Sequence, residues 1–400
     1  MKSGIAQRVF GVNAEFANWG LLTVFASAVL SALGVYAIDV GARDTGGSEE
    51  RLLAGRAVVQ MAFVVVGVLA GLTVCVPRVH VVRLVSWPLL AGAVGLLVFL
   101  LLPFVPASIV RPRNGCRGWI DVGPIDVQPA ELAKVAYVLA MAEYLRLRRD
   151  HRTWLGLVPV ALITMIPVAL ITLQPDLGTA LLFIPTAFAM LLAAGAKLKH
   201  LAIVVLAGTL AAPAMYPFLK PHQKQRIVGL IKQVQGDTSQ RSDADVFQAS
   251  TAIMLVGAGE TQGYSDGMAR AVVKFSRLPE RHNDMVFAVI GARFGMVGGA
   301  VVLGLYGLWA AGALLAAAAS RDAFGRLICV GCAGMVCVQA VVNVGMNVGV
   351  MPIVGLPLPF VSYGGSSMVS VWLMAGLVFS VAMRPPPRMS RPTFEFGRHE

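Results

Sequence analysis

Charge is scarce in this 400-residue chain: Asp, Glu, Lys and Arg together make up 14% of it, where a soluble protein has roughly a quarter. Such a chain cannot cover a globular surface with polar groups, so water is not its main solvent. Cysteine is rare too. The five present have no paired spacing outside apolar runs, which excludes a disulfide scaffold. Cys329 and Cys332 have the spacing of a redox or zinc pair, but they sit in an apolar stretch without histidine and read as packing. The sequence contains no His-Glu-x-x-His zinc motif and no phosphate loop ending in Gly-Lys-Ser/Thr, so cytosolic nucleotide chemistry is not expected. No repeat of 20–50 residues is present, and apolar runs leave no room for a disordered, collagenous or coiled-coil chain.

Apolar side chains are abundant: 57% of residues, with a mean hydropathy of +0.73. A bilayer-spanning helix needs about 20 mostly apolar residues. Ten runs qualify, at about 18–40, 57–76, 84–105, 130–146, 155–173, 178–196, 199–217, 284–314, 326–347 and 366–383. Helices are required because lipid offers no partner to an open backbone. The chain is therefore expected to be an all-α polytopic membrane protein of about ten spans. Residues 1–383 form its membrane domain, with a large extracytoplasmic loop at 218–283 between spans seven and eight. The Pro- and Arg-rich residues 384–400 read as a disordered cytoplasmic tail. The first run reads as a retained anchor, with a cleaved signal as the lesser alternative.

The formal net charge is +12. No basic soluble module exists to carry nucleic-acid binding, so no nucleic-acid partner is expected. Basic residues gather instead in alternate short loops: Lys2 and Arg8, Arg78 and Arg83, Arg146 to Arg152, Lys197 and Lys199, Arg321 and Arg326, Arg384 to Arg391. The positive-inside rule makes that side, and both termini, cytoplasmic. Arg111, Arg113 and Arg117 break the rule on the outer side, as if to meet an anionic group.

Four stretches at and between the ends of these runs carry candidate chemistry. The first is Arg117-Gly118-Trp119-Ile120 with Gln128-Pro129-Ala130-Glu131-Leu132-Ala133-Lys134. Pro129 suits the first turn of a helix. Glu131 and Lys134 share a helix face at membrane depth, as a structural ion pair or a functional one. Trp119 is an interfacial anchor or a groove residue. The second is Gln174-Pro175-Asp176-Leu177-Gly178-Thr179, where Asp176 is a helix cap or a site residue. The third is Leu278-Pro279-Glu280-Arg281-His282-Asn283-Asp284. There Asp284, where an outer loop becomes a span, is either an N-cap or a general base. The fourth runs from Asn343 through Pro357-Leu358-Pro359-Phe360-Val361-Ser362-Tyr363-Gly364-Gly365-Ser366-Ser367. Its prolines forbid a regular helix. Its backbone either packs in protein or offers N–H groups to an anion.

In this order the four stretches resemble the SEDS family of cell-wall polymerases (shape, elongation, division and sporulation), from about Gly115 to about Leu377. The resemblance implies a bacterial cytoplasmic-membrane glycosyltransferase that polymerises lipid II, with undecaprenyl diphosphate as leaving group and inversion at the anomeric carbon. It implies Asp284 as the essential carboxylate and general base. Arg117, Lys134 and Arg281 are then candidate diphosphate partners, Trp119 a groove residue, and Glu131, Asp176, His282 and Ser362 further substrate-site candidates. A class B penicillin-binding protein and the elongation machinery are the implied partners. No cofactor is specified, and a divalent cation stays open. Leu278-Pro-Glu-Arg-His282 and Val354-Gly-Leu-Pro-Leu-Pro359 look more like the elongation branch, whereas Ser366-Ser367 leans to division. A flippase for lipid II and a scaffold that only activates a transpeptidase are the rival readings. One departure stands out: Ala292 and Arg293 replace two acidic residues usual in the family. At 100° per residue Arg293 points away from Asp284 on a straight helix, leaving Glu131 or Asp176 as its expected partners. Residues 246–250 also match the family only loosely.

Overall fold

The computed structural model describes residues 14–42, 55–77, 79–106, 109–110, 116–123, 126–148, 153–215, 217, 224 and 244–384. Arg111, Arg113, the terminal and several loop basic residues, most of 218–243 and the tail 385–400 lie outside them.

The predicted runs fold as helices. They are α1 (Ala14–Ala42), α2 (Gly55–Cys75), α3 (Val79–Leu101), α4 (Pro129–Leu147), α5 (Trp154–Leu173), α6 (Leu177–Ala193), α7 (Leu198–Met215), α10 (Val286–Ala319), α11 (Ala323–Asn347) and α12 (Gly365–Met383). Seven of them are long and apolar enough to cross a membrane; α4, α6 and α7 fall short of that standard through length or charge. Prolines 88, 159, 167 and 185 stand inside helices, which a bundle in lipid tolerates because neighbours re-satisfy the freed backbone groups.

Burial sorts the helices into a centre and a rim. Two-thirds of the apolar windows of α11 and α12 are buried, against 22% for α2. The rim shows branched aliphatics outward, among them Val65, Leu69, Leu84, Leu155 and Leu162. In water this surface would aggregate; in lipid it is the expected exterior. α2 still packs closely along α12: a Cβ on Gly376 would stand 2.3 Å from the Gly71 carbonyl oxygen, and one on Gly67 2.9 Å from the Trp372 ring.

The segment 244–283 differs from the expected open loop. It contains α8 (Ala244–Ala258) and α9 (Asp266–Phe275). α9 is amphipathic, with Ala269 and Val273 buried one turn apart. Both helices pack with the C-terminal end of α1 and the first turns of α10 in a satellite core that includes Val40, Leu255, Val273, Leu278 and Val289. α10 is about 51 Å long at 1.5 Å per residue, longer than the ~30 Å hydrocarbon layer. It breaks at Gly295 (φ 61°, ψ −156°), a conformation only glycine adopts cheaply. The loop 260–264 fills the break. Met296 and Val297 donate to the carbonyls of Glu260 and Thr261 (2.8 and 3.1 Å), and Tyr264 donates to Ala292 (3.0 Å).

Arg293 occupies this break, which corrects the expectation that it pairs with Glu131 or Asp176. Its Nε donates to Tyr36 Oη (2.9 Å) and Asp266 Oδ1 (3.3 Å), and Nη1 to the Tyr264 carbonyl (3.1 Å). Asp266 also accepts from Tyr36 and pairs with Arg270, which reaches Asp39. The Tyr36 hydrogen bond holds the Asp266 carboxyl below its usual range, with the two guanidinium groups acting the same way. Neighbours rather than helix angle explain the correction: Arg293 precedes Gly295, and the loop 260–264 that fills the break brings Tyr264 and Asp266 beside it.

At the opposite end of the bundle Arg83 pairs with Asp322 at 2.5 Å. Arg384 donates to the carbonyls of Cys75, Val76 and Pro77, closing the C-terminus of α2.

Candidate active site

Four distant stretches meet at one end of the bundle because short polar links tie them pairwise. A two-residue hairpin, β1 (Ile120–Asp121) against β2 (Asp126–Val127), leads into α4. Pro129 opens that helix as expected, with Gln128 as the N-cap residue. Gln128 N–H donates to Ser366 Oγ (3.0 Å), whose hydroxyl donates to the Asp126 carbonyl (3.0 Å). Gln128 Nε2 reaches Asp176 Oδ2 at 3.3 Å. Asp176 is the N-cap of α6, accepting from the Thr179 N–H at 3.0 Å. Cys116 donates its thiol to the Gln174 carbonyl at 2.7 Å.

Asp284 stands at the entrance of α10, 7% exposed, in the turn 279–285. The cap position belongs to Met285, which makes no side-chain cap, so Asp284 is not the N-cap residue. Its own carbonyl accepts from Asn343 Nδ2 (2.8 Å) and Asn347 Nδ2 (3.0 Å) of α11. Ser362 bridges from the other side. Its hydroxyl donates to the Asn283 carbonyl (2.5 Å) and accepts from the Leu358 N–H (2.7 Å). Tyr363 N–H donates to the His282 carbonyl at 2.9 Å. Thus His282, Asp284 and Ser362 form one joint between the third and fourth stretches. Gln60 of α2 clamps it, donating to the Ser362 carbonyl (2.9 Å) and accepting from the Gly364 N–H (3.2 Å). The N–H groups of Ser362, Tyr363 and Gly364 are all bonded within the protein. That favours the packed-loop reading of this stretch over an anion-binding backbone.

The His282 ring lies edge-on to Tyr363. Its Nδ1 faces Arg56 Nη1 at 3.3 Å, and since arginine can only donate, Nδ1 is the acceptor and the proton sits on Nε2. Burial pushes the imidazole pKa down; Arg56 and Arg281 add to this, while Glu280 opposes it. Arg281 is half-buried beside it.

Glu131 and Lys134 behave differently from the expectation for Lys134. The pair is 1% and 0% exposed, with Nζ 2.8 Å from Oε2. Lys134 also donates to Gln339 Oε1 (2.8 Å), and Gln339 Nε2 to the Pro357 carbonyl (2.8 Å). Ser370 donates to Glu131 Oε2 at 2.6 Å. With its ammonium spent on these partners and no exposed surface, Lys134 does not reach a diphosphate here; it ties α4 to α11, α12 and the 352–364 loop. Arg117 bonds away from the Asp284 joint, donating to the Val105 carbonyl at 3.4 Å. Trp119 is half-buried beside it. Among the described residues no group of three or more His, Cys, Asp or Glu side chains could hold a metal ion.

Sequence reading missed Arg56, Gln60, Gln339 and Asn347, and gave Asn343 no role. Their signal was present: a polar side chain inside an apolar helix is costly unless it has a structural or functional partner. Beside the joint lies an apolar groove of about 260 Å³, lined by residues such as Leu181 and Pro185 of α6, Val338 and Val342 of α11, and Met351 and Val354.

Comparison with known proteins agrees with this arrangement. The family model described as a cell cycle protein, covering FtsW, RodA and SpoVE, matches residues 19–385. Stage V sporulation protein E of Bacillus subtilis is 30% identical over 289 residues, covering 72% of this chain and 76% of that protein. A probable peptidoglycan glycosyltransferase FtsW of Thioalkalivibrio sulfidiphilus is 32% identical over 345 residues, with 84% and 81% covered. A chain solved in a study of a peptidoglycan synthase complex superposes with a TM-score of 0.74 at 31% identity, over 90% of this chain and 96% of that one. The rod shape determining protein RodA of Thermus thermophilus gives 0.64 at 29% identity, over 90% and 95%. With the four stretches tied together at one end of the bundle and the match running through nearly every described helix, the chain belongs to the SEDS family of FtsW, RodA and SpoVE, as a multi-pass bacterial membrane protein.

Proposed function

We propose that this protein polymerises glycan strands from lipid II at the extracytoplasmic face, with Asp284 as general base. The carboxylate takes the proton of the acceptor sugar 4-hydroxyl. The oxygen bonds to the anomeric carbon of the donor from the opposite face, the bond to phosphate oxygen breaks, and undecaprenyl diphosphate leaves with the electron pair. The base then holds one proton and the anomeric centre is inverted. Arg281 and Arg117 are the candidate partners of the departing diphosphate, since forked guanidinium donors suit phosphate oxygens. Trp119 lines the sugar groove, and the apolar groove beside α6 and α11 is a lipid-facing wall for the prenyl chain. Ser362 and His282 shape the joint rather than react; Asp176, Glu131 and Lys134 support it. A class B penicillin-binding protein transpeptidase is the proposed partner, and both termini are proposed to be cytoplasmic.

The observation that carries this reading is the placement of Asp284: a nearly buried carboxylate, at the mouth of a helix, in the joint where the third and fourth stretches meet. Its place at a bundle end also favours chemistry over a flippase, which would use a broken-helix site near the midplane. Purified protein with its transpeptidase, given labelled lipid II, tests it. Glycan strands are expected; transbilayer movement of lipid II without polymer would instead support the flippase. We assign the chain to cell-wall elongation on the 278–282 and 354–359 segments, with the FtsW-named relatives favouring division as the second reading. A fluorescent fusion at the sidewall supports the first, and one confined to the septum supports the second.

A further inference from the structure

Two neighbours of Asp284 are not used by the proposed chemistry. Asn343 and Asn347 lie one turn apart on α11, on one face, and both are fully buried. A buried amide is costly unless its donors are placed, and all four of these are. Asn343 Nδ2 donates to the carbonyls of Asp284 (2.8 Å) and Leu356 (2.7 Å). Asn347 Nδ2 donates to the carbonyls of Asp284 (3.0 Å) and Asn343 (2.9 Å). Asn347 Oδ1 accepts from the Ala288 N–H (3.1 Å), a first-turn group whose local bond is a 3.2 Å contact with the Met285 carbonyl. The cap missing at Met285 is thus supplied from another helix.

We propose that Asn343 and Asn347 are positioning residues that aim the Asp284 carboxylate through its main chain; this rests on Asp284 being the base. An aspartate carboxylate stands one carbon beyond its backbone. Two donors on the Asp284 carbonyl and one acceptor on the α10 first turn therefore fix the arc that the carboxylate can sweep. The Asn343 amide also holds Leu356, so a single side chain sets the spacing between the 283–285 turn and the loop facing it. A base displaced by about 1 Å costs on the order of 10²-fold in rate, while substrate contacts elsewhere stay intact.

The full-length protein with its transpeptidase tests this, with lipid II kinetics and substrate-free hydrogen exchange measured side by side. Asn343→Ala should lower kcat about 10²-fold and Asn347→Ala about tenfold, each with KM within about twofold of wild type. Backbone exchange at 285–289 should rise about tenfold in both, with α4 unchanged. Wild-type kcat in Asn343→Ala, or a loss explained wholly by KM, overturns the proposal. If Asn343→Ala does not fold, Asn347→Ala decides in the same way, and loss of folding in both makes the pair merely structural and overturns it. A wild-type protein that makes no strands contradicts the polymerase reading instead. The clamp is then judged on exchange alone, where unchanged rates overturn it.

Discussion

Single residues carry the electrostatics of this site, and burial decides their roles. Glu131 and Lys134 are charged groups in a bundle core, stable only as a pair with Ser370 and Gln339 completing their bonds. Removing one partner of such a pair costs about 3–5 kcal/mol, because the other charge is left buried. Lys134→Met is accordingly expected to lower the melting temperature in detergent sharply, and Lys134→Met with Glu131→Leu to recover much of it; an unperturbed single variant would contradict the network. His282 makes a pH prediction. Its folded pKa lies below the ordinary value of about 6.5. Folding therefore resists protonation, and the stability this group contributes is intact above pH ~6.5 and lost as pH falls from there through the folded pKa. The melting temperature should drop on acidification over that window, and His282→Gln should remove that part of the drop. A variant with the wild-type pH profile would place the titration elsewhere.

At the scale of elements, the sequence was legible wherever local rules govern. Apolar run length located ten helices, Pro129 marked a helix start, and Asp176 served as a cap. What was not legible depends on contacts between elements. The break at Gly295 admits the loop 260–264, which brings Tyr264 and Asp266 beside Arg293 while α1 supplies Tyr36, and no helix angle names such partners. The same holds for Asn347 and Gln60, whose partners lie on other segments 63 and 302 positions away. The break also reverses what the family pattern suggests for Arg293→Glu. Rather than restoring a usual charge, it would face Asp266 and abandon Tyr36 and the Tyr264 carbonyl. Arg293 and Asp266 are partly exposed, so screening keeps the loss to about 1–2 kcal/mol. A small fall in melting temperature with faster exchange at 260–266 is expected. Unchanged stability would mean that Arg293 contributes no net holding energy.

The whole molecule is a bundle with a quiet end and a working end. The first is closed by Arg83–Asp322 and the Arg384 cap. The second joins the third and fourth stretches, Asn343, Asn347 and Gln60 around Asp284, with the first and second stretches tied in through Gln128, Ser366 and Asp176. Every proposed step depends on that carboxylate being ionised and able to accept a proton. Asp284→Asn keeps the shape and removes the base, so it separates chemistry from folding. The decisive measurement is glycan-strand synthesis from labelled lipid II by wild type and Asp284→Asn, both shown to be folded by their melting curves. The account predicts strands from the wild type and at least about a 10²-fold lower rate from the variant. Equal strand synthesis by the two would contradict it.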